Sequence, residues 1–123
     1  MVIGGSMDSI LNTIKKMLGI VEDLHAFDED IKVGINSAIF SLSQIGVGPS
    51  EGYSITGASE TWSDYLGDQL NSLQAVKNYI FLKTRIVFDP PTVGAVMDAY
   101  KNQIAELEWR LNVQVDDQSG GGD

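Results

Sequence analysis

With 123 residues and a mass of 13.3 kDa, the chain has room for one domain with a modest core. A balance of 17 acidic against 8 basic residues gives a formal net charge of −9, which excludes the basic footprint that binding of nucleic acid phosphates requires. The absence of cysteine excludes disulfides and thiolate metal centres, and no apolar run reaches the length of a membrane span.

A hydrophobic fraction of 43% with only 3 prolines predicts a folded, mainly helical chain. The opening residues show neither the charged start nor the apolar stretch of a signal peptide, so the reading is a protein of the cytosol or one assembled there. Residues 1–7 read as a flexible start, 8–115 as one helical domain and 116–123 as a disordered, acidic, Gly-rich tail.

From Asp8 onward, Ile10, Ile14, Met17, Leu18 and Val21 recur at helical spacing, with Lys15 and Lys16 outside and Gly19 placed as a C-cap. This predicts a short first helix. The link over residues 22–26 carries the only histidine, His25, and runs into Asp28, Glu29 and Asp30. With Asp23 these could form a carboxylate metal site. A calcium loop, however, alternates its oxygen ligands and needs Gly at the sixth position, whereas Lys32 falls on the fifth position from Asp28 and Gly34 on the seventh. The pattern predicts instead a helix N-terminus capped by Asp28, its acids facing the positive end of the dipole, and no catalytic partner for His25.

The second helix is predicted over residues 29–45, with Ile31, Ile35, Ala38, Ile39, Leu42 and Ile45 as its core stripe. Val33 and Phe40 project from the opposite side among Lys32, Asn36, Ser37, Ser43 and Gln44, which hints at an intermolecular contact. Residues 46–59 form a long Gly/Ser-rich loop, expected to be exposed and mobile, with Gly46, Gly48, Gly52, Tyr53 and Gly57 as candidate flexible positions. It is no nucleotide loop: no Lys-Ser or Lys-Thr follows its last glycine, and Glu51 stands where a dinucleotide fingerprint needs Gly. Ser59 could cap a short turn over residues 60–66, tucked onto the bundle by Trp62, Tyr65 and Leu66.

The stretch over residues 68–91 carries an excess of apolar surface. Leu73, Val76, Ile80 and Val87 fall on one stripe, Ala75, Tyr79, Leu82 and Ile86 on a second, and Asn71, Gln74, Asn78 and Arg85 form the wet strip. Such a helix needs cover on two sides, from a central position or from a neighbouring subunit. Asp89, Pro90 and Pro91 make a stop and a stiff corner, because proline donates no N–H and biases the residue before it away from the α region.

Thr92 then suits an N-cap, and Val93, Met97, Tyr100, Ile104, Leu107 and Leu111 define a seam that predicts antiparallel packing on the central helix. On the far side Trp109 stands with Asp98, Asn102 and Ala105, as an interface anchor or a partial cover over a loop. Residues 112–115 alternate polar and apolar, which suits an extended arm able to pair with a partner strand, or simple fraying. Candidate contact residues are therefore Val33, Phe40, Tyr79, Leu82, Ile86 and Trp109.

No nucleophile elbow and no histidine pair for zinc is present, and Glu106 and Glu108, two apart on a helix, face different ways. The reading is a non-enzymatic, cofactor-free, all-α bundle of four main helices with a long Gly/Ser-rich loop and a C-terminal helical hairpin.

The run YIFLKTRIVFDPP (79–91) followed by TVGAVMDAYKNQIAELEWRLNVQ (92–114) resembles the head-tail connector, or adaptor, family of tailed double-stranded DNA bacteriophages. LNTIKKMLGI (11–20) and FDEDIKVGINSAI (27–39) look like that family's opening, a short helix before a longer one, so the resemblance covers roughly residues 10–115. Gly94, in the first turn of the last helix, departs from what a helix start prefers. The resemblance implies a structural virion protein, assembled in the host cytoplasm, that forms a ring of about a dozen copies beneath the portal. Its implied partners are further copies of itself, the portal protein, a tail-side stopper or head-completion protein, and packaged DNA passing through without sequence-specific binding. The alternative is a small acidic helical binding module, an adaptor or DNA-mimicking inhibitor, present as a monomer or dimer. A carboxylate metal enzyme around Asp23, His25, Asp28 and Asp30 is the third reading, the one the ligand spacing supports least.

Overall fold

A computed structural model describes residues 5–120, with side chains through Asp116. Among the described residues the chain forms α1 (Ile10–Met17), α2 (Asp28–Ser43), the short α3 (Trp62–Leu66), a tight 3-10 turn (Gly67–Ser72), α4 (Leu73–Phe88) and α5 (Gly94–Gly120). It is the predicted all-α architecture: the described residues form four main helices with one short addition and no strand.

The Ser9 hydroxyl caps α1 by accepting the Asn12 N–H at 3.1 Å. Gly19 ends it as expected: at φ +82 it lets its own N–H reach the Lys16 carbonyl at 3.0 Å and the Ile20 N–H reach the Lys15 carbonyl at 2.8 Å. Helix α3 is capped by Thr61, with Asp64 closing a reciprocal capping box, and not by Ser59. The central helix starts later than residue 68, because the 3-10 turn occupies the segment before Leu73. It stops at Phe88 as Pro90 dictates, and Arg85 fixes the corner by donating from Nε to the Asp89 carbonyl at 2.7 Å.

The core lies between α2 and α4. Ile31, Ile35, Ala38, Ile39 and Leu42 pack against Val76, Tyr79 and Ile80, all of them buried. The two helices approach closely because Gly34 faces Thr84, where a Cβ would stand 3.0 Å from Thr84 Cγ2 and 3.3 Å from its Cα. Helices α1 and α3 close another side with Ile10, Leu11, Ile14, Trp62, Tyr65 and Leu66. The indole of Trp62 is fully enclosed and its N–H donates to Thr13 Oγ1 at 3.1 Å, so this large side chain leaves no polar group unpaired.

Several expectations are corrected here. The segment before α1 pairs with the one before α3: the Ser63 N–H donates to the Ser6 carbonyl at 2.8 Å and the Ile10 N–H to the Glu60 carbonyl at 3.0 Å, around an antiparallel bridge between Ser9 and Thr61. Val21 and Val87 leave the core stripes assigned to them, because α1 stops at Met17 and Val87 lies on the open side of the last turn of α4. Helix α5 starts after Val93, whose carbonyl accepts from Val96 and Met97, so Thr92 is not its cap. That helix continues through residues 112–115, in place of an extended arm, and on to Gly120. Its C-terminal half is held by Ser72 Oγ donating to Gln114 Oε1 at 2.8 Å and by burial of Leu111. Residues 1–4 and 121–123, parts of the segments predicted flexible and disordered, lie outside the described residues.

Candidate functional site

The charged cluster at the start of α2 is structural. Lys15, predicted to lie outside, is 1% exposed. Its Nζ donates to the carbonyls of Glu22 at 3.0 Å and Leu24 at 2.7 Å and pairs with Asp28 Oδ1 at 2.9 Å. Asp28 also meets His25 Nδ1 at 2.9 Å through its other oxygen. Asp28 is thus the first residue of α2 and its side chain makes no cap bond, which corrects the capping assignment: the buried ammonium outcompetes the backbone N–H groups for the carboxylate. Hydrogen bonding to Lys15 holds the Asp28 carboxyl below its ordinary range, against the opposing effect of burial and with further help from His25. Both of its carboxylate oxygens are engaged, one by the Lys15 ammonium and one by the His25 imidazole, and among the described residues no group of three or more His, Asp or Glu is placed to hold a metal ion.

The Gly-rich loop is exposed at most of its positions, as its composition suggests, yet it is fastened at several points. Val47 and Ile55 are buried in the core, and Asn36 brackets Ile55 by accepting its N–H at 2.7 Å and donating to its carbonyl at 3.0 Å. Gln69 accepts the Gly48 N–H at 2.7 Å and donates to the Gly46 carbonyl at 3.0 Å. Tyr53 stacks on Tyr65 with centroids 5.0 Å apart. Burial opposes ionisation of Glu60, yet the N–H and hydroxyl of Thr56 and the N–H of Gly57 outweigh it and hold this carboxyl low. Gly52 and Gly57 have open space around them.

What remains is apolar surface. Val33 and Phe40 are each 66% exposed on one face of α2, and Trp109 is 68% exposed on α5. Tyr79 and Leu82 are corrected: they are buried within the chain itself, because α5 lies over that side of α4 and the Tyr79 O–H donates to Glu108 Oε2 at 2.6 Å. Burial, and then this hydrogen bond to the carboxylate, raise the Tyr79 hydroxyl above its ordinary pKa. The second stripe of α4 is therefore covered by the protein's own last helix, and only its end stays open.

At that end Val87, 70% exposed, separates two depressions. One is an open cleft of about 670 Å³ lined by Leu18, Ile20, Phe27, Val33, Val87 and Phe88, with Asp30 and Asp89 on it. Phe27 and Phe88 meet edge to face there, with centroids 5.5 Å apart. The other is a groove of about 270 Å³ between α4 and α5, lined by Lys83, Ile86, Val87, Lys101 and Ile104. Ile86, half-buried, is the one residue of the second stripe that reaches this open surface. The hydrophobic pattern pointed at Val33, Phe40 and Trp109. It missed Phe27, Phe88 and Val87, although the Asp89-Pro90-Pro91 corner that ends α4 was a signal that its last turn would lack a covering neighbour.

Taken together, the exposed apolar side chains sit on several sides of a small acidic bundle, an arrangement suited to contact with other proteins. No curated protein and no solved structure shows a significant match to the chain. A family model described as phage connector protein matches residues 10–118, a span that runs from the first residue of α1 into the last turns of α5. The chain belongs to the phage connector protein family.

Proposed function

We propose that the protein is a head-tail connector that assembles into a closed ring beneath the portal, joins the filled head to the tail-side completion protein and continues the channel for DNA. The observation that carries this reading is the separation of Val33 and Phe40 on α2 from Trp109 on α5. A cyclic assembly uses two different patches per subunit, and large apolar side chains on separate helices supply them. The net charge of −9 supports it as well, since an acidic conduit lets DNA pass without retaining it. The virion is then its place of work, and its role is structural.

Native mass spectrometry of the full chain over a concentration series, with and without its portal, tests the proposal. Closed rings of about a dozen copies are expected. A monomer or simple dimer under both conditions overturns the ring and favours an acidic binding module.

A further inference from the structure

Val87 stands between two depressions of opposite charge. On one side is the groove between α4 and α5, where Lys83 and Lys101 flank Ile86 and Ile104. On the other is the cleft of about 670 Å³ lined by Leu18, Ile20, Phe27 and Phe88 and bordered by Asp30 and Asp89. Neither lysine has a carboxylate partner among the described residues and Asp30 has no cation there, whereas Asp89 is held by Arg85 Nε at 3.6 Å. Copies of a chain with a net charge of −9 repel one another, so a contact between two of them has to bring unpaired cations to an unpaired acid. This surface carries both, on either side of one exposed valine.

Two adjoining patches of opposite sign suit a two-fold axis, because an axis placed between them sets each patch on its opposite in the second copy. The spacing is short enough for this: Val87 lines both depressions, and Lys83 precedes it by one turn of α4. A chain cannot fill its own cleft with Val87, which already forms the rim. We propose that two copies of the chain pair isologously here, the Val87 side chain of each, 70% exposed, seated in the Phe27–Phe88 cleft of the other, with Lys83 and Lys101 set against Asp30 of the other copy. The pair covers Val33, which lines the same cleft, so this dimer and a ring that uses the α2 face are alternative states of the subunit. The contact goes beyond the ring reading and does not rest on it.

Sedimentation equilibrium of the free full-length chain tests it. A monomer–dimer equilibrium is expected, and Val87→Ser, at an exposed position, should weaken it about ten-fold or more while leaving helicity by circular dichroism unchanged. Lys83→Glu with Lys101→Glu in one variant, and Asp30→Lys in another, should each leave the chain monomeric when alone. Mixed in equal amounts, the two should form a one-to-one heterodimer, because the acidic groove of the first then meets the lysine of the second, and the intact cleft of the first meets the intact groove of the second. A free chain that shows no dimer up to the millimolar range, a dimer that none of these variants weakens, or a mixture that gives no heterodimer overturns the proposal. The ring is read separately, by native mass spectrometry with the portal added, so loss of this dimer and loss of the ring are distinct results.

Discussion

The α1–α4 bundle and the first half of α5 are built from the same kinds of apolar residue and end in different states. In the bundle, Ile31, Ile35, Ala38 and Ile80 reach essentially complete burial, because α2 and α4 face each other and α1 and α3 close the sides. Along residues 94–107, Met97, Tyr100, Ile104 and Leu107 sit on an equally regular seam yet remain half-buried, because α4 supplies most of the packing against α5 and their flanks open to solvent. Periodicity specifies which face wants a neighbour; it does not supply one. The bundle holds the stability, and the α5 half holds surface that a second molecule can use.

The sharpest way to break this contrast is Trp62→Ala, which empties the largest fully enclosed side chain and removes the N–H that Thr13 Oγ1 accepts, leaving that hydroxyl its bond to the Ser9 carbonyl. It should cost about 3–5 kcal/mol in chemical denaturation. A cost below about 1 kcal/mol would mean that α3 contributes little to the core. Lys15→Met comes next: the apolar stem is retained, but the Glu22 and Leu24 carbonyls and Asp28 lose their shared donor, for an expected loss of about 3 kcal/mol. A neutral result would show the ammonium to be dispensable to the link before α2.

Paired truncations sharpen the same comparison. Ile80→Ala, in the closed core, should cost about 3 kcal/mol, and Ile104→Ala, on the half-open seam, about half as much. Equal costs would contradict the difference in burial. A smaller effect concerns pH. Because Asp28 and Glu60 are held below their ordinary values in the folded chain, their stabilisation is present above the unfolded carboxyl range, near pH 4, and is lost as pH falls through the folded values. Asp28→Asn should therefore flatten the decline of stability in acid while lowering stability at neutral pH.

How much of this was legible follows from the range of each interaction. The stripe of α2, the stop at Pro90 and the Gly19 cap are local, and they stand where the spacing put them. Lys15 was misjudged on chemistry and not on geometry: it is four residues after Leu11 and three before Leu18, on the same face, and only its charge argued for solvent. The partners that make its burial tolerable are carbonyls of a link with no periodicity to read. The fastening of the Gly-rich loop was hidden for a similar reason, since Asn36 and Gln69, which fasten it, lie on distant elements. The contact surfaces were half legible. An exposed Phe40 or Trp109 shows as a break in a stripe, whereas a groove with two lysines exists only once α4 and α5 are packed.

The smallest expected effect on the subunit is also the one that separates its two regions most cleanly. Phe40 and Trp109 lie off the core, so Trp109→Ala removes packing that the isolated chain scarcely makes, and Phe40→Ser exchanges an exposed ring for a hydroxyl on an exposed helix face. Each should shift unfolding by no more than about 0.5 kcal/mol, as surface substitutions generally do. Assembly should respond in the opposite proportion, because an aromatic anchor in a desolvated contact contributes about 2 kcal/mol or more per interface, and a ring repeats that loss at every junction. Sedimentation and thermal melts on the same samples read both quantities. If Trp109→Ala melts the subunit, its ring supports the fold and the division between a stable bundle and an available α5 face is drawn in the wrong place.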